Sequence, residues 1–312
     1  MHAFYRGRRI LVTGGAGFIG SHLVEKLVTL DAQVTVLDNL STGLWENIQP
    51  IQHQINFIHG DITDYNSIKS AIVDVDIVFH LAACTSVAES LEDPEKYHTT
   101  NVTGTFNVAR ACAHKKVKTL LFASSAAVYG PRTTTCTESM PCNPQSPYGL
   151  SKWIGELYCH HFANIAGLNT LIVRYFNVWG PRQNPNSPYA GAAALFTDAL
   201  AHNRPITIYG DGNQTRDFIH VSDVVRANLV LAYASATGQI AFDETHTSRI
   251  FNIASGKSIT INSLLEQCKK AYPHYQGAIT YAPTRLGDIP HSRASCSKYR
   301  PILRKIEKNL PV

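Results

Sequence analysis

Short apolar runs alternate with longer amphipathic segments along the first half of the chain. Leu120, Leu121 and Phe122 are apolar at consecutive positions, which is typical of a parallel strand that helices cover on both faces. Between the first two such runs, Ile19 and Leu23 begin a series of apolar positions at helical spacing. The predicted strands are residues 9–13, 33–37, 55–58, 77–81, 119–123 and 170–174. This pattern predicts an α/β fold with a doubly wound parallel sheet.

The pattern changes after residue 174. Residues 177–188 include Gly180, Pro181, Pro185 and Pro188, so we expect a loop that leaves the sheet. Beyond that loop the spacing predicts helices over 192–202, 222–236 and 261–272, and strands near 206 and over 250–253. We therefore predict one domain over residues 1–176 and a smaller mixed α/β domain over residues 177–312, with part of about 222–250 able to return to the first. The smaller domain could close a cleft over the carboxyl ends of the strands, where open α/β sheets bind ligands.

The composition is that of a globular, enzyme-sized protein. The chain has 312 residues, of which 44% are hydrophobic and 16% are charged, and this balance excludes a disordered or fibrous protein. The net charge is +5, and a basic cluster occurs at the end of the chain, in Arg300, Arg304, Lys305 and Lys308. That cluster is too sparse for a nucleic-acid surface, so we interpret it as a solvated tail and expect no nucleic-acid partner.

Other sequence features bear on compartment and metal binding. The sequence has no apolar run long enough to span a membrane, and its first residues lack the apolar core of a signal peptide. The seven cysteines are widely spaced and include no C-x-x-C pair, which argues against a disulfide framework and against a metal site. We therefore expect a cytoplasmic protein with reduced thiols and no membrane partner.

A glycine-rich segment, TGGAGFIG at residues 13–20, lies between the first predicted strand and the first predicted helix. Glycines permit a tight turn and a close approach of a ligand to the backbone, and the helix amino terminus offers N–H groups to a pyrophosphate. Asp38 ends the second predicted strand, where a carboxylate would bind an adenosine ribose and repel a 2′-phosphate. These features predict a Rossmann-like site for NAD in preference to NADP.

A second segment carries groups for proton transfer. Tyr148 and Lys152, in YGLSK at residues 148–152, lie one turn apart on a predicted helix, so the ammonium could lower the pKa of the phenol. Tyr148 would then serve as acid and base near neutral pH, with Ser125 from SSAAVYG at residues 124–130 bonding the reacting oxygen. The same spacing recurs at Tyr65 and Lys69 without a preceding serine-bearing strand end, and there we expect no chemistry.

Together these motifs resemble the extended short-chain dehydrogenase/reductase superfamily, in its NAD-dependent epimerase/dehydratase family, and the likeness is greatest to the UDP-glucose and UDP-N-acetylglucosamine 4-epimerases. The resemblance runs in unbroken order from about residue 8 to residue 300. Besides the segments quoted above, it rests on DNLSTG (38–43), GDITD (60–64), HLAA (80–83), NVTGT (101–105), RYFNVWGPRQ (174–183), GDGNQTRDFIHVSD (210–223) and RLGDIPHS (285–292).

The resemblance implies a role for individual positions. The cofactor residues would be Gly14, Gly17, Phe18, Ile19, Gly20, Asp38, Asn39, Ser41, Thr42, Gly43, Asp61, Ile62, Leu81, Ala82, Ala83, Asn101, Tyr148 and Lys152. The catalytic trio would be Ser125, Tyr148 and Lys152, with Ser125 preferred to Ser124 because it stands four residues before the Tyr-Gly pair. The substrate residues would be Ser86, Ser125, Asn177, Arg182, Arg216, Arg285, Asp288 and Ser292, the arginines serving the UDP diphosphate.

The type of reaction is inferred from the absence of acidic residues at two positions. Similar dehydratases and decarboxylases carry acidic residues where this chain has Ala126 and Ala127, so elimination and decarboxylation are disfavoured. Oxidation at C4 of the sugar would then be followed by return of the hydride to the opposite face, with no net redox change. We thus expect a 4-epimerase that acts on a UDP-hexose.

The sugar is inferred from one small residue. Ser292 falls where similar epimerases place either a bulky aromatic or a small residue beside the sugar 2-position. A serine there would leave room for an N-acetyl group, which favours UDP-N-acetylglucosamine and UDP-N-acetylgalactosamine, with UDP-glucose and UDP-galactose also accepted. The chain departs from the family at Cys296, where an acidic residue is usual, and in a closing helix that we expect to be short or absent.

Two alternatives stay open from the sequence. One is a related nucleotide-sugar enzyme, such as a UDP-glucuronate epimerase or a sugar reductase. The other is a catalytically silent NAD-sensing regulator, which would need only the glycine turn and Asp38. The resemblance also implies a homodimer that pairs through the helices after Asn101 and Tyr148.

Overall fold

The computed structural model of the chain describes residues 1–184, 191–284 and 289–308. Its strands are β1 Arg9–Thr13, β2 Gln33–Asp38, β3 Ile55–His59, β4 Ile77–His80, β5 Thr119–Ser125, β6 Thr170–Tyr175, β7 Val178–Trp179, β8 Ile206–Tyr209, β9 Thr215–Asp217, β10 Ile219–His220, β11 Ile250–Ile253, β12 Ser258–Thr260 and β13 Ile279–Ala282. Its α-helices are α1 His2–Tyr5, α2 Phe18–Thr29, α3 Tyr65–Ala71, α4 Val87–Glu92, α5 Pro94–Tyr97, α6 Gly104–His114, α7 Pro147–Ala166, α8 Ala192–Ala201, α9 Val221–Ala236, α10 Ile261–Lys269 and α11 Tyr299–Lys308.

A seven-stranded parallel sheet forms the centre of the molecule, in the order β11-β6-β5-β4-β1-β2-β3. Helices α2 and α9 pack on one face, in a core cluster that includes Leu23 and Val224. Helices α3, α6 and α7 cover the other face, where Ile68, Val108 and Phe162 are buried. The predicted α/β, doubly wound fold is confirmed, and the six strands predicted over residues 9–174 agree with the observed ones to within two residues at each end.

The sequence analysis assigns the strand over 250–253 to the smaller domain but leaves open a return of part of about 222–250 to the first, and the structure pairs this strand, β11, with the central sheet. All four residues of β11 are buried, and the strand pairs in parallel with β6 at the edge of the central sheet. A strand that is apolar at consecutive positions needs cover on both faces, and α9 contributes to that cover from the same half of the chain. Residues 221–253 thus return to the sheet, well beyond the expected loop.

The closing helix is also present, which corrects the expectation that it is short or absent. Helix α11 runs from Tyr299 to Lys308 and packs against α9. Its apolar residues Ile302, Leu303 and Ile306 lie against the α9 residue Val230, while its basic residues belong to the other face of an amphipathic helix. The basic cluster therefore belongs to a packed helix and not to a solvated tail.

The smaller elements lie over the carboxyl end of the sheet. Three two-stranded sheets pair β10 with β7, β12 with β9, and β13 with β8, and a separate core packs α8 against α10. Asn177, which follows β6, donates a hydrogen bond from Nδ2 to the Asp217 carbonyl of β9 (3.1 Å), so β9 stands next to the strand end. Within the described residues, the helices are too short or too polar to cross a bilayer.

Candidate active site

The glycine turn after β1 leaves no room for side chains. Gly14 has φ of +72°, and a Cβ on it would lie 2.6 Å from the Ala82 backbone nitrogen. A Cβ on Gly20 would collide with the Gly14 carbonyl oxygen. Gly17 caps α2 without a side-chain hydrogen bond, so the first-turn N–H groups at Phe18 and beyond can face an anion. This cradle fits the pyrophosphate of a dinucleotide, as the sequence predicts.

Asp38 lies beside the turn, at the end of β2. Its carboxylate accepts hydrogen bonds from the Ala16 N–H (2.9 Å) and the Leu40 N–H (2.8 Å), which fix its orientation. A Cβ on Gly43 would lie 3.0 Å from Asp38 Oδ1, so that glycine keeps the side of the carboxylate accessible. Each carboxylate oxygen retains a lone pair for a ribose hydroxyl, and the donor set therefore fits the adenosine ribose of NAD.

The remaining predicted cofactor residues line the same edge of the sheet. Asn39 donates to Asp61 Oδ2 (2.7 Å), and its own Oδ1 accepts from the Ser41 N–H (3.0 Å). Ile62 is buried behind Asp61, whereas Thr42 is exposed at the rim. The structure thus brings the residues predicted for the adenine and ribose region together with the glycine turn.

Asn101 clamps the loop after β4 to helix α7. It accepts from the Cys84 N–H (2.9 Å), and its Nδ2 donates to the Cys84 carbonyl (2.9 Å) and to Ser151 Oγ (3.0 Å). Because Ser151 neighbours Lys152, this amide links the loop that contains Leu81, Ala82 and Ala83 to the helix of the predicted trio.

His80 contributes to the site although the sequence analysis assigned it no role. It is buried at the end of β4, with Nδ1 2.7 Å from Thr13 Oγ1 and Nε2 3.0 Å from Thr105 Oγ1. Burial lowers the pKa of His80 to about 3, helped by the nearby charge of Lys152, so the ring is neutral and joins β1 to α6. A polar residue at the end of an otherwise apolar strand run is the sequence signal that could have revealed it.

The predicted trio meets where β5 ends against α7. Tyr148 is buried at the start of α7 and shares a hydrogen bond with the Ser125 hydroxyl. Lys152, one turn on, is buried as well, and its Nζ donates to the Ala123 carbonyl (2.9 Å). Ser124, by contrast, points to the interior and donates to Glu156 Oε1 (2.5 Å). The geometry therefore favours Ser125 over Ser124 as the serine that faces the phenol.

The expected effect of Lys152 on Tyr148 is not found. Burial raises the pKa of Tyr148, and the hydrogen bond with Ser125 opposes this only in part. Burial also lowers the pKa of Lys152, to about 8. The reason is that the ammonium is directed to the Ala123 carbonyl and both groups lie in a dry interior, where desolvation disfavours either charge.

Three of the predicted substrate residues gather around β9. Asn177 bonds to Asp217, Arg216 lies on β9 itself, and the Ser292 N–H donates to the Thr215 carbonyl (3.0 Å).

The other predicted substrate residues differ in their outcome. Arg182 forms an ion pair with Glu25 of α2 (2.8 Å), the helix that begins at the glycine turn. Ser86 Oγ accepts the Glu89 N–H (3.0 Å) and thereby caps α4. Arg285 and Asp288 lie outside the described residues.

A parallel sheet with a glycine turn, a ribose-binding carboxylate and a buried Tyr-Lys pair defines a dinucleotide-dependent α/β enzyme. The sequence model of the NAD dependent epimerase/dehydratase family matches residues 10–254, and the chain belongs to that family. The resemblance inferred from the motifs is confirmed, as is NAD as the cofactor of this family of enzymes.

Individual relatives are similar along nearly the whole chain. A protein named putative UDP-glucose 4-epimerase, from Methanocaldococcus jannaschii, is 40% identical over 283 residues, which are 90% of this chain and 87% of that protein. A UDP-N-acetylglucosamine 4-epimerase structure from Methanobrevibacter ruminantium, in complex with UDP-N-acetylmuramic acid, has a TM-score of 0.87 and 38% identity and covers 95% of this chain and 92% of that one. The Thermus thermophilus UDP-glucose 4-epimerase complex with NAD has a TM-score of 0.83 and 35% identity, with 94% and 92% covered. The prediction of an NAD-dependent enzyme of the UDP-sugar 4-epimerase type is thereby confirmed at the level of the family.

Proposed function

We propose that the protein inverts C4 of a UDP-hexose, with UDP-N-acetylglucosamine and UDP-N-acetylgalactosamine as the preferred pair and UDP-glucose and UDP-galactose as further substrates. The observation that carries the proposal is the meeting of Ser125, Tyr148 and Lys152 at the carboxyl end of β5, in the same sheet whose strand β1 leads into the glycine turn. A protein that only sensed the dinucleotide would need the turn and Asp38 but would have no use for this trio.

The trio supplies what the reaction requires of the protein. As the phenolate, Tyr148 takes the proton from the sugar 4-hydroxyl, and as the phenol it returns that proton to the oxygen at C4 in the second half of the reaction, while the Ser125 hydroxyl holds the reacting oxygen. NAD, which the glycine turn and Asp38 would hold, would supply the hydride acceptor for C4 and then the hydride donor. Between the two transfers the 4-keto sugar rotates about its diphosphate linkage, so that the opposite face meets the trio. Arg216 and Asn177, around β9, are candidates to hold the UDP moiety during that rotation.

The surroundings of the trio support epimerisation over elimination. Ala126 and Ala127 occupy the 3₁₀ turn Ala126–Tyr129 that directly follows Ser125. Neither can act as the additional acid or base that loss of water or carbon dioxide needs. The 4-keto sugar therefore has no protein group there to divert it from reduction.

The preference for an N-acetylated sugar rests on Ser292 and on one relative. Ser292 is buried next to β9, and its small side chain leaves more space than an aromatic ring would. The likeness to a UDP-N-acetylglucosamine 4-epimerase, at 38% identity, supports the same sugar class.

The test is to incubate the protein separately with UDP-N-acetylglucosamine, UDP-glucose and UDP-glucuronate, without added cofactor, and to separate the 4-epimers by chromatography. We expect conversion of UDP-N-acetylglucosamine and slower conversion of UDP-glucose, both lost in Tyr148→Phe. Tyr65→Phe is the matched control, because Tyr65 has the same spacing to a lysine but contacts His114 at 3.3 Å, away from the trio.

Three outcomes would overturn the proposal. Conversion of UDP-glucuronate alone would favour the related epimerase. No conversion of any of these sugars, with NAD binding intact, would favour the silent regulator. Full activity of Tyr148→Phe would remove the assigned acid and base.

A further inference from the structure

Tyr97 contacts the ring of Tyr148, the phenol of the predicted trio. It ends helix α5 and is fully buried. Its ring lies edge-on to that of Tyr148, with centroids 6.3 Å apart and planes at 88°. Such perpendicular contacts are favourable between aromatic rings. Both side chains are buried, so Tyr97 covers the side of Tyr148 that it contacts. The Tyr97 ring therefore forms part of the wall that keeps Tyr148 dry.

The hydroxyl of Tyr97 makes a separate set of contacts. It accepts the Ser86 N–H (2.9 Å) and donates to Glu89 Oε2 (2.8 Å). Lys96 holds the other oxygen of Glu89 (2.6 Å), and the Glu89 N–H returns to Ser86 Oγ (3.0 Å). One buried hydroxyl thus joins the end of α5 to the start of α4, directly after the loop that Asn101 clamps to α7.

We propose that Tyr97 is a positioning residue for the reaction, with two separable tasks: its ring shields Tyr148 from water, and its hydroxyl holds the Ser86 segment at the edge of the substrate cleft. The inference rests on the proposed function, since it assigns Tyr97 to the site that performs it. The segment lies there because it continues from β4 through Leu81, Ala82 and Ala83, which adjoin the glycine turn.

The titratable and charged groups near Tyr148 and Tyr97 come from β5, β6, α4, α5 and α7 and from the residues around Cys84 and His246. Ser125 faces Tyr148 from β5 and Lys152 follows it on α7, while Cys84 lies near enough to Lys152 to affect its pKa. Glu89 and Lys96 face Tyr97 from α4 and α5. Arg174 of β6 and His246 face Glu156, two turns further along α7.

The two tasks predict different results in two variants. Tyr97→Phe keeps the ring and removes the hydroxyl. We expect the KM for the sugar nucleotide to rise about tenfold, the change that corresponds to roughly 1.4 kcal/mol for a lost buried hydrogen bond, with the pH profile of kcat unchanged. Tyr97→Ala removes the ring and admits water, which favours the phenolate of Tyr148. The alkaline rise of kcat should then move to lower pH by about one unit.

Controls separate these effects from loss of stability. Tyr5→Phe removes a buried tyrosine hydroxyl that donates to the Leu229 carbonyl (2.7 Å) far from the site, and it should leave both KM and the pH profile unchanged. If Tyr97→Ala does not fold, Tyr97→Leu takes its place, with a smaller shift in the same direction. Ionisation of Tyr148 is also measured without turnover, from tyrosinate absorbance of each protein minus that of its Tyr148→Phe counterpart.

The outcomes distinguish the inference from the proposed function. If the unmodified protein converts no sugar nucleotide, the proposed function fails, and the absorbance titration still decides whether the Tyr97 ring shields Tyr148. If the protein is active but both Tyr97 variants match it in KM and in pH profile, the positioning role is wrong. A loss of kcat that Tyr5→Phe reproduces would also overturn it.

Discussion

Lys152 is an ammonium group in a dry position. It is 4% exposed, and burial lowers its pKa to about 8 from the ordinary value of 10.5. Below that pH the folded protein therefore carries an unfavourable buried charge, even though Nζ donates to the Ala123 carbonyl. We predict that Lys152→Met abolishes epimerisation and at neutral pH raises the free energy of unfolding by about 1–3 kcal/mol.

The stabilisation expected for Lys152→Met should depend on pH. The unfolded chain keeps Lys152 protonated up to about pH 10.5, whereas the folded protein releases that proton near pH 8. The penalty is therefore complete below pH 8 and disappears as the pH rises to 10.5, so the gain of Lys152→Met should shrink over that window. Urea unfolding at both ends of the window measures it, with exposed Lys26→Met as the control. An equal gain at both pH values would contradict the explanation.

Two neighbouring serines show how far single positions can be predicted from the sequence. Family spacing identifies Ser125 as the residue for the reacting oxygen, and the side chains at the end of a strand alternate between faces. The hydrogen bond from Ser124 to Glu156 of α7 could not be predicted, because it depends on how the helix crosses the strand. The pairing of Arg182 with Glu25 is hidden from the sequence for the same reason.

At the scale of elements, a buried ion pair joins α7 to two strands. Glu156 accepts from Arg174 Nε (2.8 Å) and Nη2 (2.6 Å) on β6 and from Ser124 on β5, and all three side chains are almost fully buried. Burial and the charge of Glu156 act in opposite directions on Arg174, and the pair raises the pKa of that guanidinium. The helix that carries Tyr148 and Lys152 is thereby fixed against the strand ends.

Breaking this pair should be costly. We predict that Glu156→Gln lowers the free energy of unfolding by about 3–5 kcal/mol, because it leaves the Arg174 charge buried without a counter-charge. Denaturant unfolding measures the loss. Glu266→Gln is the control, since Glu266 pairs with Lys269 (3.0 Å) at the surface and its loss should cost less than about 1 kcal/mol. A similar small loss in both variants would mean that the pair does not fix α7.

Strands and helices can be predicted where the hydrophobic periodicity of the sequence is strong, but the elements that they pair or pack with cannot. Each strand of the first half follows from an apolar run of the right length, and α2 follows from its helical spacing. The spatial neighbour of β11 could not be predicted, because pairing with β6 joins segments far apart in sequence. The repeated Tyr-x-x-x-Lys spacing makes the same point: Tyr65 begins α3 beside Arg110 and His114, and only context separates it from Tyr148.

At the scale of the whole molecule, the two halves of the chain share one sheet. Residues 221–253 cross back from the smaller region, so α9 packs on α2 and β11 on β6. The part above the strand ends, with β9 and Ser292, is thus anchored through the same sheet that carries the trio.

The outer face of α7 carries apolar side chains that nothing in the single chain covers among the described residues. Leu150, Leu157 and Ile165 are 44%, 45% and 64% exposed, at spacings of about two helical turns, and α6 packs alongside through Phe106 and Tyr158. Large apolar side chains that are exposed repeatedly along one helix are typical of an interface. We therefore predict a homodimer through α6 and α7, and Leu157→Glu combined with Ile165→Glu should reduce the mass in solution from two chains to one. Light scattering measures the mass, and Val73→Glu, at a residue 59% exposed outside these helices, should leave the dimer intact. A monomeric unmodified protein, or a dimer that survives both charged substitutions on α7, would show that this face serves another purpose.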